Sequence, residues 1–259
     1  MPRLGLALGI WAIASGASPG LVVAADETAP TSITIGESNS PAQVEELLAV
    51  FEARGDEPVA TVTVDDTARA MAGIFDTSGI TSAYSSTALT CRDQGAGLEV
   101  ATRNITVVVP AMYAMALATA GIDDATLVVA APAAAPAEGM TALTGIFATA
   151  EGGTCTSAAG DPDRRRLALE ELTLTAEIAA DDATAAATVV LGVQQAVVSG
   201  RQTDPAAIEA TVAAQEDAVG IAIPAEQRAK LIDLMTRLAS ADLDWGSFAA
   251  GWTLDRDQA

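Results

Sequence analysis

Three acidic pairs, Asp65-Asp66, Asp123-Asp124 and Asp181-Asp182, carry the most chemical capacity in a chain that contains no histidine. Two carboxyl groups converging on one substrate are the acid and base of a glycosidase, and a ring of carboxylate oxygens is a calcium site. Each pair also has a local role. Asp65-Asp66 and Asp181-Asp182 precede helical patterns, where aspartate accepts from unpaired amide groups at the positive end of the helix dipole. Asp123-Asp124 occupy a helix-to-strand turn, and Asp161-Pro162-Asp163 is followed by Arg164, Arg165 and Arg166, a cap with charge pairing that disfavours a cation. None of these clusters has EF-hand spacing. Capping therefore ranks ahead of metal binding, and no catalytic residue, metal ligand or cofactor is assigned. Without histidine, a Ser-His-Asp triad, a Cys-His nucleophile and histidine-ligated zinc are excluded. The chain also has no P-loop, no Gly-x-Gly-x-x-Gly after a strand and no Ser-x-x-Lys.

The elements that would position these groups alternate at first. Ser32 to Ile35 read as a strand, and Ser40 with Pro41 opens a helix carrying Val44, Leu47, Leu48 and Phe51, which Gly55 ends. Val59 to Val64 read as a strand, and Asp66 or Thr67 caps a short helix toward Phe75. Ser82 to Cys91 and Leu98 to Ile105 read as a hairpin across the polar Arg92 to Gly97. A helix from Pro110 to Gly121 follows, then a strand from Ala125 to Ala131, apolar on both faces as an internal strand is. An alanine and proline linker then leads to a helix from Met140 to Ala150. The order strand, helix, strand, helix thus occurs twice, with Gly73-Ile74-Phe75 echoed by Gly145-Ile146-Phe147, which suggests two pseudo-symmetric β-α-β-α units. Past Cys155 come four helices without strands, starting near Pro162, Asp182, Pro205 and Pro224. The tail spaces Trp245, Phe248 and Trp252 along one helical face.

The first residues read as an export signal. Arg3 precedes an apolar run from Leu4 to Ala14, helix-breaking residues follow, and Val23-Ala24-Ala25 places small residues for cleavage after Ala25, with Ala24 and Ala17 as alternatives. The apolar run is too short and broken to span a bilayer, so no stable membrane span is expected after its removal. Formal charge is -21 from 13 basic and 34 acidic residues, and loss of Arg3 leaves 12 against 34, or -22. Nucleic acid is therefore excluded as a partner, because phosphate binding needs a basic footprint. Outside the cytoplasm an even cysteine count favours pairing of Cys91 with Cys155, which closes a loop of roughly 65 residues worth about 4 kcal/mol. The alternative is two separate buried thiols. Asn104-Ile105-Thr106 has the formal glycosylation pattern but ends a strand, where a buried or strand-edge polar role is expected.

The stretch from Thr102 to Phe147 resembles the YpuA-like family of exported bacterial proteins, catalogued as domain of unknown function 1002. The resemblance rests on Asn104-Ile105-Thr106, Met112-Tyr113-Ala114, Ala120-Gly121-Ile122, Ala130-Ala131-Pro132 and Thr141 to Ile146. The upstream segment Ile35 to Phe51 and the downstream Leu167 to Ala183 also look like family segments. The resemblance implies an exported or envelope-associated protein and brings no activity, ligand or catalytic residue. The two cysteines and the tryptophan tail lie outside its pattern.

The resulting expectation is an α+β protein: a mixed sheet flanked by helices, then an all-α C-terminal segment. Residues 1–25 form the signal peptide, 26–155 the sheet region, 156–240 the helical region and 241–259 the aromatic tail. The expected function is a secreted or cell-envelope, non-enzymatic interaction protein with an envelope or extracellular protein as partner. The alternative is a carboxylate-dependent hydrolase of cell-wall or extracellular glycans, and a calcium-stabilised scaffold follows.

Overall fold

The computed structural model describes residues 31–150, 155, 161–179 and 182–241. The signal segment, Asp181 and the tryptophan tail lie outside the described residues. The chain folds as α+β, a five-stranded mixed sheet followed by four consecutive helices.

Strand β1 (Thr31–Gly36) leads into α1 (Pro41–Val50) through a capping box, in which Ser40 Oγ accepts from Gln43 N–H and Gln43 Oε1 accepts from Ser40 N–H at 2.8 Å. The helix stops at Phe51, before the Gly55 expected to end it. Ala53 N–H turns back to the Leu48 carbonyl, and Glu52 adopts a left-handed φ of 52°. Glu57 then gathers the amides of Arg54 and Gly55, which hold its carboxyl down at about 2. Strand β2 (Val59–Val62) is shorter than expected because Thr63, not Asp66 or Thr67, caps α2 (Val64–Ala70). Asp66 completes that cap from the third helical position by accepting Thr63 N–H at 3.0 Å.

The expected hairpin does not form. Strands β3 (Ser86–Cys91) and β4 (Leu98–Arg103) are separated by β5 (Ala125–Ala130), and the sheet order is β2-β1-β3-β5-β4. The physical reason lies in β5. It is apolar on both faces, and burying it needs neighbours on both edges; the six-residue link from Arg92 to Gly97 is wide enough to admit it. The link is tied to the intruder, with Arg92 N–H donating to the Asp124 carbonyl at 3.0 Å and Gly97 N–H to Asp124 Oδ1 at 2.7 Å.

Both strand-helix-strand-helix runs exist, and each pairs its two strands in parallel, β1 with β2 and β4 with β5. Strand β3 lies antiparallel to β1 and to β5, so all four other strands point the same way. The helices of the two runs differ in placement. Helix α1 covers Ile33, Ile35 and Ala88 on one face, whereas α3 (Pro110–Ala120) and α4 (Ala142–Ala150) share a core with Leu89, Val100, Leu127 and Val129 on the other. Gly145 lets α4 approach the sheet, since a Cβ there would lie 2.5 Å from Thr34 Oγ1.

On that second face sit α5 (Pro162–Ile178), α6 (Ala183–Gly200), α7 (Pro205–Val219) and α8 (Ala225–Ser240). Helix α3 is buried along nine consecutive residues, Met112 to Ala120, because it is enclosed by strand and helix alike. One apolar core therefore runs from Leu127 of the sheet through α3 to Leu231 and Leu238 of α8. A disulfide joins Cys91 to Cys155, with Cα atoms 4.8 Å apart.

Candidate functional site

The acidic pairs are dispersed. Asp65 and Asp66 lie in the first turn of α2, where hydrogen bonds from Thr63 and then the Arg69 guanidinium hold the Asp66 carboxyl below its usual range. Asp124 anchors the turn before β5, with Asp123 beside it. Asp182 caps α6 by accepting Ala185 N–H at 2.9 Å, and Asp161 caps α5. Arg164 turns inward and donates to the carbonyls of Ala118 and Thr119 at the end of α3, while Arg166 pairs with Glu170 at 3.1 Å. Among the described residues no three carboxylate or cysteine side chains are grouped to hold a metal. Asn104 sits exposed at the end of β4 with a left-handed φ of 57° and donates to the Ala131 carbonyl at 2.9 Å.

The structure assembles a cleft elsewhere. All four parallel strands end at one edge of the sheet, where β1 departs toward α1 on one face and β5 toward α4 on the other. A divergence of this kind opens a crevice at the carboxyl ends of strands. A cleft of about 460 Å³ lies there, between the segment entering β3 and the segment entering α4.

One wall is residues 81–85, held by the loop after β1. Asn39 Nδ2 donates to the carbonyls of Gly36 and Tyr84 at 2.8 and 3.1 Å, and Ala83 N–H donates to Ser38 Oγ at 2.9 Å. Gly36 must lack a side chain, since a Cβ would fall 2.1 Å from the Ala83 carbonyl oxygen. The other wall is residues 136–141. Thr106 and Val108 donate their amides to the carbonyls of Ala137 and Glu138, and the fully buried Tyr113 hydroxyl donates to the Gly139 carbonyl at 2.7 Å. Gly139 has a φ of 100°, and a Cβ on it would meet Tyr113 Oη at 2.5 Å.

The cleft is lined by Ser82, Tyr84, Ser85 and Thr141, with Asp76 and Glu138 as the carboxylates. Asp76 is held below its usual range by the Ser78 amide, so it is a poor proton donor near neutrality. A second cleft of about 460 Å³ shares Phe75, Glu138 and Met140 with the first and continues to Thr173 and Glu177 on α5.

A carboxyl with the opposite behaviour is sealed away. Glu171 is 1% exposed, accepts from Thr119 Oγ1 at 2.6 Å, and is pushed up to about 7 by burial against the pull of that hydrogen bond. Gln194 Nε2 donates to the same Thr119 oxygen at 2.9 Å. This trio ties α3, α5 and α6 together inside the core, where no substrate reaches it.

Sequence reasoning gave no site role to Tyr84, Ser85, Thr141 or the buried Glu171, the last two entering only within segments of the family resemblance. Isolated serines, threonines and tyrosines carry no spacing signal, and only the sheet order brings residues 84 and 141 together. Comparison with known proteins adds relatedness. A family model described as "Protein of unknown function (DUF1002)" matches residues 35–252. The "Uncharacterized protein YpuA" of Bacillus subtilis (strain 168) is 28% identical over 217 residues, which is 83% of this chain and 73% of that protein. No solved structure matches.

Proposed function

Because the chain belongs to the DUF1002 family, whose description carries no activity, we propose from its own chemistry that it is an exported, non-enzymatic binding protein of the cell envelope or extracellular space. The observation that carries this reading is the cleft at the carboxyl edge of the sheet. Its hydrogen-bonding groups are hydroxyls, its Asp76 carboxyl is held in the ionised form, and the acidic pairs serve as caps and turn anchors on separate elements. Such a site suits ligand recognition, and its Asp76 carboxyl is a poor source of the protonated acid that glycoside cleavage requires.

Export is supported by the Arg3, Leu4 to Ala14 and Val23-Ala24-Ala25 pattern and by the disulfide, since such bonds persist outside the reducing cytoplasm. Helix α6 is long and apolar enough to cross a membrane by composition, but Val189, Val190, Val193 and Val197 are buried in the helical core. That placement supports a protein without a stable span. The high negative charge supports a soluble surface that avoids anionic polymers.

The test has two arms. N-terminal sequencing of the secreted pool is expected to begin at Asp26; retention of Met1 would refute export. Tagged mature protein is expected to capture a defined envelope component and to leave a glycan panel intact, and cleavage abolished by Asp76→Asn or Glu138→Gln would install the hydrolase instead.

A further inference from the structure

We infer that the cleft at the carboxyl edge of the sheet binds an uncharged saccharide oligomer, an assignment that rests on the non-enzymatic binding reading above. Five hydroxyl-bearing residues line it, Thr81, Ser82, Tyr84, Ser85 and Thr141. None of these side-chain hydroxyls has a hydrogen-bond partner among the described residues. Within the sheet, Ser32 Oγ is also buried without a partner, while other hydroxyls pair across strands. Thr31 pairs with Thr90 at 2.9 Å, Thr34 with Thr87 at 2.6 Å, and Ser86 Oγ accepts the Gly36 amide at 3.1 Å. Thr141 is 6% exposed, and its Oγ1 is buried without a partner among the described residues.

A saccharide matches this wall chemically. Its ring carries closely spaced O–H groups that donate and accept, as serine, threonine and tyrosine hydroxyls do. Its C–H faces need apolar cover, and Phe75 and Tyr84 present half-buried aromatic rings in the same cleft. Asp76 and Glu138 add acceptors for ligand hydroxyls. Among the described residues no lysine or arginine lines this cleft or the adjoining one, so a phosphate- or carboxylate-bearing polymer would meet the carboxylates of Asp76, Glu138 and Glu177.

The ligand is longer than one sugar. The adjoining cleft shares Phe75, Glu138 and Met140 and leads to Thr173, 2% exposed and also with an unpartnered Oγ1. Each cleft alone falls in the usual small-molecule range of roughly 300 to 1,000 Å³. The two together make an extended groove with a buried, unpartnered hydroxyl beside it at either end.

The test is calorimetric titration of the full secreted chain with neutral oligomers of glucose, galactose and N-acetylglucosamine, two to six units long, and with a hexa-arginine peptide as the cationic comparator. At least one neutral series is expected to bind, more tightly at four units than at two. Tyr84→Ala is expected to weaken it at least tenfold, and Tyr84→Phe and Thr141→Val about threefold each, with circular dichroism confirming that the variants fold. Absence of binding across the panel, binding untouched by all three folded variants, or hexa-arginine binding lost with Tyr84→Ala would each overturn the assignment. Should an oligomer bind and be cleaved, the site stands and the non-enzymatic reading falls. Should an envelope component be captured while no saccharide binds, the site falls and that reading stands.

Discussion

On α5, α7 and α8 the charged side chains answer one another: Arg237 reaches Glu170 and Asp233, Lys230 reaches Glu177 and Glu226, and Arg228 meets the buried Glu216 at 2.7 Å. At the carboxyl edge of the sheet, hydroxyls on both walls of the cleft have no such answer among the described residues. The exposed pairs are individually worth about 1 kcal/mol or less, so they do not explain the stability of the helical region. What they record is a surface whose polar groups are occupied. The sheet edge keeps its polar groups available, and the walls that hold them are fastened from behind by Asn39, Asn104 and Tyr113. The helical region answers its charges at the surface while Thr173 Oγ1 and Gln194 Oε1 stay unpartnered inside it, and the sheet edge holds its hydroxyls on fastened walls.

Removing the covalent tie would break this contrast most severely. Cys91→Ser with Cys155→Ser is expected to cost about 4 kcal/mol in urea unfolding. A loss below about 1 kcal/mol would mean that the sheet edge needs no tether. Next comes the wall itself: Gly139→Ala forces a Cβ toward Tyr113 Oη and a left-handed backbone on alanine, so about 3 kcal/mol of destabilisation is expected. Tyr113→Phe, which removes only the bond to the Gly139 carbonyl, should cost about 1.5 kcal/mol.

The helical region gives a pH signature of comparable or smaller size. Glu171 titrates near 7 when folded and at 4.5 when exposed, so the unfolded chain releases this proton first. Its contribution is fully present below about pH 4.5, falls as pH rises toward 7, and changes no further above that. The loss is on the order of 3 kcal/mol. Glu171→Gln should flatten that slope and leave the variant more stable than the parent at pH 8, measured as the urea midpoint against pH. An unchanged slope would mean that Glu171 is not the titrating group. Asp124→Asn is expected to have the smallest effect, within about 1 kcal/mol, because the amide oxygen still accepts from Gly97 N–H.

Much of the fold was legible. Ser40 with Pro41, Pro110 with Gly121, and Pro162, Pro205 and Pro224 mark helix ends by local chemistry, and local chemistry is written in adjacent residues. The hairpin reading failed because strand pairing is not local. Ser86 to Cys91 and Leu98 to Arg103 are consecutive, yet β5 competes for the same edges and wins by burying both faces. The α2 cap was placed three or four residues late because Thr63 continues the β-branched run of β2 and looks like strand. The cleft was least legible, since Tyr84 and Thr141 meet only through the sheet order. The segments that carry the family resemblance do hold its walls: Gly36 to Ser40 clamps one, and Asn104 to Thr106 with Tyr113 clamps the other.

The insertion of β5 between β3 and β4 also imposes a schedule. A chain that emerges N-terminus first presents β1, β2 and β3 while the strand that completes the middle of the sheet is still absent, and β3 waits with one edge bare until residues 125–130 arrive. Cys91 stands at the end of that waiting strand, and its partner at 155 emerges later still. The bond therefore closes last and acts as a latch on a finished sheet, so a chain cut between Cys91 and Ala125 leaves a half-sheet with an open edge, the kind of fragment that quality-control proteases clear.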